Sequence, residues 1–424
     1  MAGTNKLIIS TNLLTTINMH SNIKSIFDKN NDIKLTSIID YPKCSFGFHH
    51  YIHSLRKDKE ILKQFENKKK VYLVTNEFEI EIDNYEESIK QETNKFLNIK
   101  NKMPEIISLD FYKVWEIFFM FDIIDNTKNI KALIMCDNGS VMQSLINFRE
   151  KYTKENKNDI YNILKLNESK FDIKLNELDK NFTEYYDKKI DIKTEFKEKY
   201  DLIIGCGNII EGENENTFEQ DYFKLLLFQI NNALKYSKKN SNFIVKVFET
   251  FTNLSAKIMA LLISSYEKVF IVKPLTSKPS HSEKYIVCLN FKANDTDIKK
   301  LDKICDKINE NNKLNILDIF TDYEVNKEVN KELTLKIIEM NVHITNRIFK
   351  SIGKLVNFVN SQNYYGDEYQ NYREAQINAN KYWLSTFFPD QKDFKDNKKN
   401  IMENSVLANK MILDNLSKLY KIIV

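Results

Sequence analysis

The central part of the chain alternates between short apolar runs and longer amphipathic stretches. Short apolar runs rich in β-branched residues are typical of buried strands, and the longer stretches have the apolar spacing of helices. The predicted strands are residues 130–136, 160–166, 200–205, 242–248, 269–272 and 284–291. The predicted helices are residues 110–124, 140–149, 218–236 and 253–266. This alternation predicts an α/β fold with a parallel, doubly wound sheet and helices on both of its faces.

The segments around this pattern predict other kinds of structure. Ahead of it, residues 71–74 and 78–82 predict short strands and residues 85–99 predict a polar helix. Inside it, the Lys-, Asn- and Glu-rich residues 167–199 predict an exposed insertion. The predicted division of the chain is a mixed α/β region at 1–105, a sheet domain at 106–294 and a helical region at 295–424.

The helical C-terminal region is predicted from an apolar stripe whose members recur every three or four positions. Two further helices are predicted at residues 369–387 and 402–420. Such a stripe either packs against the sheet domain or binds a partner, and the sequence leaves both alternatives open. The stripe consists of Leu333, Ile337, Met340, Ile344, Ile348, Ile352, Leu355 and Val359.

The composition excludes several classes of protein. Hydrophobic residues make up 42% of the 424 residues, which is enough for a large core and excludes a globally disordered chain. Because 63 Lys and Arg residues face 59 Asp and Glu residues, any nucleic-acid site has to be a local basic patch. The five scattered cysteines contain no CxxC pair, which favours a reducing compartment. No apolar run is long enough for a transmembrane helix, and we expect neither a secretory leader nor a membrane partner.

Lys246 is the least expected residue of the predicted strands. It lies in the apolar run FIVKVF at residues 243–248, in a strand predicted to be central. A buried, unpaired ammonium group is costly, so this lysine must be ion-paired or must reach a cleft at the strand end. The carboxyl ends of parallel strands are where α/β sheets bind ligands. The alternative is a lysine that extends along the surface to solvent.

Three other features of the sequence are candidates for functional chemistry. Lys113 lies in a helix that is apolar almost all round, where a structural salt bridge is the simpler explanation. Glu283 begins a predicted strand and is unremarkable by itself. His49, His50 and His53, close to Cys44, suggest a metal site, but a single short cluster fits structural zinc poorly, and we predict no metal site.

Four segments occur in an order and spacing that match a known family. They are FYKVWE at 111–116, DLII at 201–204 followed by Gly207, NFIVKVF at 242–248 and VKPLTSKPSHSEKY at 272–285. They resemble the motifs FxKxWE, DLxxxDGG, GGxFVxKxF and KPxxSRxxxSExY of the FtsJ-like, Rossmann-type ribose 2′-O-methyltransferases. The resemblance is strongest to the cap-modifying branch of large DNA viruses, and it covers residues 109–292.

The resemblance implies S-adenosylmethionine as cofactor and a Lys–Asp–Lys–Glu catalytic tetrad. Lys113 matches its first lysine, Lys246 its second and Glu283 its glutamate, while Cys206 stands at the aspartate position. A lysine can take a proton from a ribose hydroxyl only when its pKa is lowered, which burial and a nearby cation achieve. The implied cofactor-binding residues are Cys136, Asp137, Asn138, Gly139, Ser140, Gly205 and Gly207.

The chain departs from the family in this same area. A neutral thiol at Cys206 cannot offset two lysines, and Asn208 replaces the second glycine of DGG. The family loop LCxAPGGF is MCDNGSVM here, with bulky Val141 near an expected glycine. We therefore expect catalysis to be impaired or lost and the fold to be kept for RNA binding or assembly. The alternative is an active, S-adenosylmethionine-dependent cap ribose 2′-O-methyltransferase of viral mRNA.

The resemblance also implies partners and a location. RNA, as capped mRNA, is the implied substrate or ligand, and other viral proteins are implied partners. Action in the cytoplasm of an infected cell, at the viral factory, follows from the viral relatives, with packaging in the virion as a further expectation.

Overall fold

The structure is a computed structural model, and it describes most of the chain from residue 106 to residue 390 together with short N-terminal segments. The described residues are 15–19, 23–30, 32–37, 60–61, 89–97, 106–121, 123–124, 127–153, 156–166, 182–187, 196, 198–207, 218–311, 313–325, 330–362 and 364–390. The predicted strands at 71–74 and 78–82 and the predicted helix at 402–420 lie outside them.

An eight-stranded sheet forms the centre of the molecule, in the order β1-β8-β9-β7-β6-β3-β4-β5. Its strands are β1 (Thr15–Asn18), β3 (Lys131–Met135), β4 (Ile160–Leu166), β5 (Phe182–Asp187), β6 (Tyr200–Gly205), β7 (Ser237–Val247), β8 (Tyr266–Lys273) and β9 (Lys284–Phe291). The strands from β5 to β7 run parallel, whereas β9 runs antiparallel to both of its neighbours. The chain order reverses between β3 and β6, which is the point where open α/β sheets bind ligands.

Eight α-helices accompany the strands in the described part of the chain. They are α1 (Ile89–Phe96), α2 (Asp110–Met120), α3 (Ser140–Tyr152), α4 (Phe218–Tyr236), α5 (Asn253–Ser265), α6 (Asp295–Glu310), α7 (Lys331–Ser361) and α8 (Asp367–Phe387). A separate pair of strands, β2 (Ile33–Thr36) and β10 (Asn315–Ile319), joins an N-terminal segment to the C-terminal region.

Both faces of the sheet are covered, which explains why its strands are apolar along their whole length. In β3, Leu133 and Met135 face one apolar cluster while Ala132 and Ile134 face the other. The first cluster contains residues of α4, α5, α6 and α7, and the second contains residues of α2, α3 and α8. The predicted α/β class with helices on both faces is therefore confirmed, but the prediction of a parallel sheet is wrong in part, because β9 runs antiparallel to β7 and β8 and β1 runs antiparallel to β8.

Two parts of the sequence-based prediction need correction. The prediction of an exposed insertion at residues 167–199 misses the edge strand β5, which pairs in parallel with β4. The predicted N-terminal region contributes β1 to the edge of the main sheet by antiparallel pairing with β8. Both strands are short and lie at sheet edges, where the partner strand rather than local apolar periodicity specifies the pairing.

The apolar stripe of α7 packs inside the molecule. From Leu333 to Ile352 its members belong to the cluster that covers one face of the sheet. On the other face, Trp383 of α8 packs in the cluster of α2 and α3. Of the two alternatives, packing against the sheet domain or binding a partner, the structure shows the first for α7, and α8 packs in the same way.

Candidate functional site

Two lysines and two acids that are far apart in the sequence meet at the carboxyl edge of the sheet. Lys113 Nζ lies 2.8 Å from both carboxylate oxygens of Glu283 and 2.8 Å from Asp110 Oδ1. Lys246 Nζ lies 2.7 Å from the other oxygen of the same carboxylate, Asp110 Oδ2. The result is a continuous chain of ion pairs, Lys246–Asp110–Lys113–Glu283, which we call the tetrad cluster.

The tetrad cluster is buried and electrically balanced. Lys246 is 1% exposed and Glu283 is 8% exposed, so these charges depend on each other rather than on water. Burial alone would raise the pKa of Asp110 and Glu283, but the two lysines outweigh it and hold both pKa values below their ordinary range. Burial alone would lower the pKa of Lys246, but Asp110 and Glu283 outweigh it and raise that pKa.

Three elements position these side chains. Asp110 is the first residue of α2, where the helix dipole favours a carboxylate, and Lys113 lies one turn later on the same face. Lys246 lies near the end of β7. Because β9 runs antiparallel to β7, the residue before its start, Glu283, lies at the same edge of the sheet. Tyr285 donates a hydrogen bond of 3.1 Å to Glu283 Oε1 and extends the cluster into β9.

Lys273 holds the segment that ends at Glu283. Its ammonium group donates to Ser277 Oγ and to the carbonyl oxygens of His281 and Glu283, at 3.0, 2.8 and 2.8 Å. The side chain is fully buried, and burial lowers its pKa well below the ordinary value. By these three hydrogen bonds Lys273 holds the loop at residues 274–283 against the edge of the sheet.

Glu116 fixes the beginning of the same loop. Its carboxylate accepts hydrogen bonds from Leu275 N, Thr276 N and Thr276 Oγ1, and from Trp383 Nε1 of α8, at 2.7 to 3.0 Å. Burial raises the pKa of Glu116 to about 6, and the four hydrogen bonds only partly offset that effect. One carboxylate therefore ties α2, the loop and the C-terminal helix together.

The predicted cofactor loop follows β3 directly. Cys136 and Gly139 both have positive φ, 63° and 100°, which turns the chain sharply from the strand into α3. Asp137 Oδ2 accepts hydrogen bonds of 3.0 Å from the first turn of α3, at Val141 N and Met142 N. Burial raises the pKa of Asp137 to about 6. Asn138 is exposed at the tip of the loop.

Val141 and Ser140 face away from the tip of this loop. The Val141 side chain is fully buried in the apolar cluster shared by α2 and α3. Ser140 Oγ donates to the carbonyl of Ser108, 3.2 Å away, and so ties the loop to the segment before α2. The Val141 side chain, which is bulkier than the glycine expected near this position, therefore lies in the core.

The second predicted cofactor segment follows β6. Cys206 is buried, and burial, reinforced by the nearby charge of Asp137, raises the pKa of its thiol well above the ordinary value. Gly207 N donates to Gln229 Oε1 of α4 at 3.0 Å. A Cβ atom at Gly205 or Gly207 would lie 2.5 Å from Gln229 Oε1 or 2.6 Å from Leu225 Cδ2. A side chain at either glycine would therefore displace the Gln229 or Leu225 side chain of α4.

The structure brings all the residues predicted from the sequence to one edge of the sheet. They lie at the ends of β3, β6 and β7, at the start of β9 and at the start of α2, and their functional roles stay predictions. Asn208 and the Cys44, His49, His50 and His53 group lie outside the described residues. Within the part of the chain that the structure describes, no group of three His, Cys, Asp or Glu residues could hold a metal ion, and no helix is long and apolar enough to cross a membrane.

Sequence reasoning missed Asp110 and Trp383. Asp110 could have been found from its spacing, because a residue three positions before Lys113 lies on the same helix face. No local signal identifies Trp383, since it reaches Glu116 only through the packing of α8 on α2. Both residues depend on contacts that are separated by more than a hundred positions in the chain.

Part of the chain is similar in sequence to known methyltransferases. The model of a family described as FtsJ-like methyltransferase matches residues 169–291. A cap-specific mRNA (nucleoside-2′-O-)-methyltransferase 2 of Drosophila melanogaster is 28% identical over 134 residues, which are 31% of this chain and 19% of the relative. The corresponding methyltransferase 1 of Homo sapiens is 36% identical over 106 residues, 25% of this chain and 13% of the relative. The chain thus matches less than a fifth of the length of these relatives.

A solved structure overlaps with part of the fold. A Plasmodium falciparum protein described as a ribosomal RNA methyltransferase is 19% identical, with a TM-score of 0.34, and the overlap covers 44% of this chain and 99% of that one. The strand order and directions described above, rather than this overlap, define the fold.

Proposed function

We propose the function of this chain from the premise that it belongs to the FtsJ-like family of cap ribose 2′-O-methyltransferases. The proposed reaction is methyl transfer to a ribose 2′-hydroxyl of RNA, with the 5′ end of capped mRNA as substrate. The tetrad cluster is the observation on which this proposal depends. Its lysines and Glu283 have no structural need to be buried together, because an apolar edge would fold as well or better.

S-adenosylmethionine is the cofactor that the family implies, and the residues at the β3–β6 edge fit it. Asp137 is 6% exposed, and its Oδ2 accepts the two hydrogen bonds from α3. Its Oδ1 accepts no hydrogen bond from the described residues. That oxygen could accept from the ammonium group of the methionyl part. The remainder of the cofactor would lie against Asn138, which is exposed beside Asp137, and against the turn at Gly139. When bound, the cofactor supplies an electrophilic methyl group on a sulfonium centre.

The tetrad cluster is suited to hold the ribose hydroxyl and to remove its proton. Lys246 Nζ is the candidate base because it lies at the strand end nearest the cofactor loop, within the electrostatic reach of Asp137. In the free chain Asp110 and Glu283 keep Lys246 protonated. A positive charge bound beside it would lower its pKa, as a second cation does for other catalytic lysines. Lys113 and Glu283 then fix the position of Asp110 and so of Lys246.

A second function, RNA binding without catalysis, is favoured by one observation. The raised pKa of Lys246 keeps this lysine protonated and so makes it a poor base in the free chain. Against this function, the tetrad cluster has two positive and two negative charges and offers no net attraction to a phosphate. Val141, which had suggested a closed cofactor loop, lies in the core. We therefore propose that the chain is catalytic.

Methyl transfer to defined RNAs tests the proposal. The full chain is incubated with S-adenosylmethionine labelled in its methyl group and a short capped RNA. The expected result is one methyl per cap-proximal ribose. The same RNA carrying a 2′-O-methyl group at that ribose should accept none, because its hydroxyl is blocked.

A matched variant separates catalysis from binding. Lys246→Met keeps the length of the side chain and removes its amine, and should reduce the rate by two to four orders of magnitude, as loss of a general base does. Equal affinity of the wild type and the variant for RNA, together with no methyl transfer by either, would instead support the binding function.

The partners and the place of action belong to the same proposal. Capped mRNA is the proposed substrate, and other viral proteins are proposed partners. The cytoplasm of an infected cell is the proposed site of action, with packaging in the particle as a later stage. In support, Cys136, Cys206, Cys288 and Cys305 are free thiols, as a reducing compartment allows.

A further inference from the structure

The tetrad of the proposed enzyme needs an acid between its two lysines, and Cys206 cannot supply one. We propose that Asp110, at the start of α2, replaces the acid missing at the end of β6, so that the chain keeps a complete array of lysine, carboxylate, lysine and glutamate. This inference rests on the proposed function. It makes Asp110 a positioning residue for Lys246 and Lys113.

The geometry of Asp110 is that of a bridge. Its two oxygens are divided between the two amines, with Oδ1 at 2.8 Å from Lys113 Nζ and Oδ2 at 2.7 Å from Lys246 Nζ. Lys246 is 2% exposed in its side chain and Asp110 is 14% exposed, so the bridge is almost dry. A surface ion pair of this type would contribute little, whereas a buried one fixes both partners.

Charge balance gives a second, independent argument. Without Asp110 the tetrad cluster would hold two ammonium ions and one carboxylate, that of Glu283, an excess of one positive charge. An excess of charge of one sign is costly at a buried site. Asp110 restores the balance that a carboxylate at position 206 would otherwise have provided.

The two positions exclude each other as acids. Cys206 is within the electrostatic reach of Asp110, Asp137 and Lys246, so a carboxylate there would meet two others. Like charges at such a site cannot all ionise. The small neutral thiol leaves Asp110 as the single acid between the two lysines.

Titration of the lysine amines in the free chain tests the bridge without cofactor or RNA. The lysine Nζ groups are labelled with ¹⁵N, and Lys246 is assigned by comparison with Lys246→Met. Asp110→Asn removes the charge and keeps the shape, and the Lys246 pKa is expected to fall. The groups that face Lys246 from the elements around it are Asp110, Glu283, Cys206, Asp137 and Tyr222.

Two comparison variants sharpen this measurement. Asp201→Asn is the matched control, because Asp201 also pairs with a lysine, Lys238, at 2.6 Å, but at the opposite end of β6. It should leave the Lys246 titration unchanged. Asp110→Asn combined with Cys206→Asp should return the Lys246 pKa toward the wild-type value, because it moves the acid back to β6.

Activity provides the second readout. Asp110→Asn should reduce kcat about 100-fold and shift the break in the kcat–pH profile to lower pH, and the double variant should recover most of the rate. An unchanged Lys246 titration in Asp110→Asn, or a double variant that stays at the values of Asp110→Asn, would overturn the inference. If the wild type transfers no methyl, the proposed function fails while the titration still decides the role of Asp110.

Discussion

Asp137 holds the first turn of α3, and we propose that it also binds the cofactor. One oxygen caps the first turn of α3 and the other accepts no bond from the described residues. Capping by an aspartate stabilises a helix by about 1 kcal/mol, so the residue would be retained even without a ligand. The other oxygen is the atom that we propose binds the cofactor.

The raised pKa of Asp137 predicts how cofactor binding depends on pH. Only the ionised carboxylate accepts from an ammonium group, and burial raises this pKa to about 6. The dissociation constant for S-adenosylmethionine should therefore be constant above about pH 7 and should rise about tenfold per pH unit below pH 6. Isothermal titration calorimetry between pH 5 and 8 measures it.

Asp137→Asn is the variant for this measurement. The asparagine keeps one oxygen to cap α3 and places an amino group toward the ligand. Binding should weaken at least tenfold at pH 8, and its dependence on pH should disappear. A pH dependence that persists in the variant would assign it to another group.

At the scale of elements, α2 links the site to the rest of the molecule. Its first turn carries Asp110 and Lys113, and its second turn carries Trp115 and Glu116, which contact α8. Trp115 Nε1 donates to the carbonyl of Phe387 at 2.8 Å. Because a helix is rigid over such a distance, α8 and the loop at Thr276 help to fix the angle at which the site residues of α2 enter the edge of the sheet.

The buried Glu116 predicts a stability difference with a definite sign. Its folded-state pKa, about 6, lies above the ordinary 4.5, so the folded chain binds the proton more tightly than the unfolded chain. This contribution is complete below pH 4.5 and is lost as pH rises through 6. The free energy of unfolding of the wild type, relative to Glu116→Gln, should therefore fall by about 2 kcal/mol between pH 4.5 and 7.

Denaturant unfolding at several pH values measures this difference. Glu198→Gln is the control for the loss of one carboxylate, because Glu198 is 44% exposed in its side chain, where it pairs with Lys131. If the difference in free energy of unfolding between the wild type and Glu116→Gln does not change with pH, Glu116 does not titrate in this range.

At the scale of the whole molecule, the described N- and C-terminal segments are tied to the sheet. β1 extends the sheet beside β8, and β2 pairs with β10 across almost three hundred residues. On the other side, the aromatic rings of Trp115, Trp383 and Phe388 pack with centroids 4.9 to 5.2 Å apart. Such contacts predict that the sheet and the C-terminal helices unfold together.

Tryptophan fluorescence tests this cooperativity directly. The chain has two tryptophans, Trp115 and Trp383, and both lie at the α2–α8 contact, so tryptophan fluorescence reports the surroundings of that contact. Far-ultraviolet circular dichroism reports all the helices and strands. The two thermal transitions should coincide. A fluorescence transition at lower temperature would show that α8 detaches before the sheet unfolds.

Much of the fold could be predicted from the sequence because its central strands are buried on both faces. Such strands are continuous apolar runs, and β3, β4, β6 and β9 were predicted almost at their observed ends, whereas β7 begins at Ser237, before its predicted start at residue 242. The edge strands β1 and β5 were not found, because their pairing depends on partners elsewhere in the chain. The packing of α8 could not be predicted for the same reason, because its contacts are with α2, which is distant in the chain.

The site divides in the same way. Lys246 stood out by itself, because an ionisable group in an apolar run is anomalous wherever the chain folds, whereas Lys113 and Glu283 were identified by their resemblance to the family motifs. Only the tertiary structure decided that Asp110 lies between the two lysines, that Val141 points into the core and that Trp383 holds Glu116. Burial is written into local composition, but the partner of a buried charge depends on which distant segments the fold brings within about 3 Å of it.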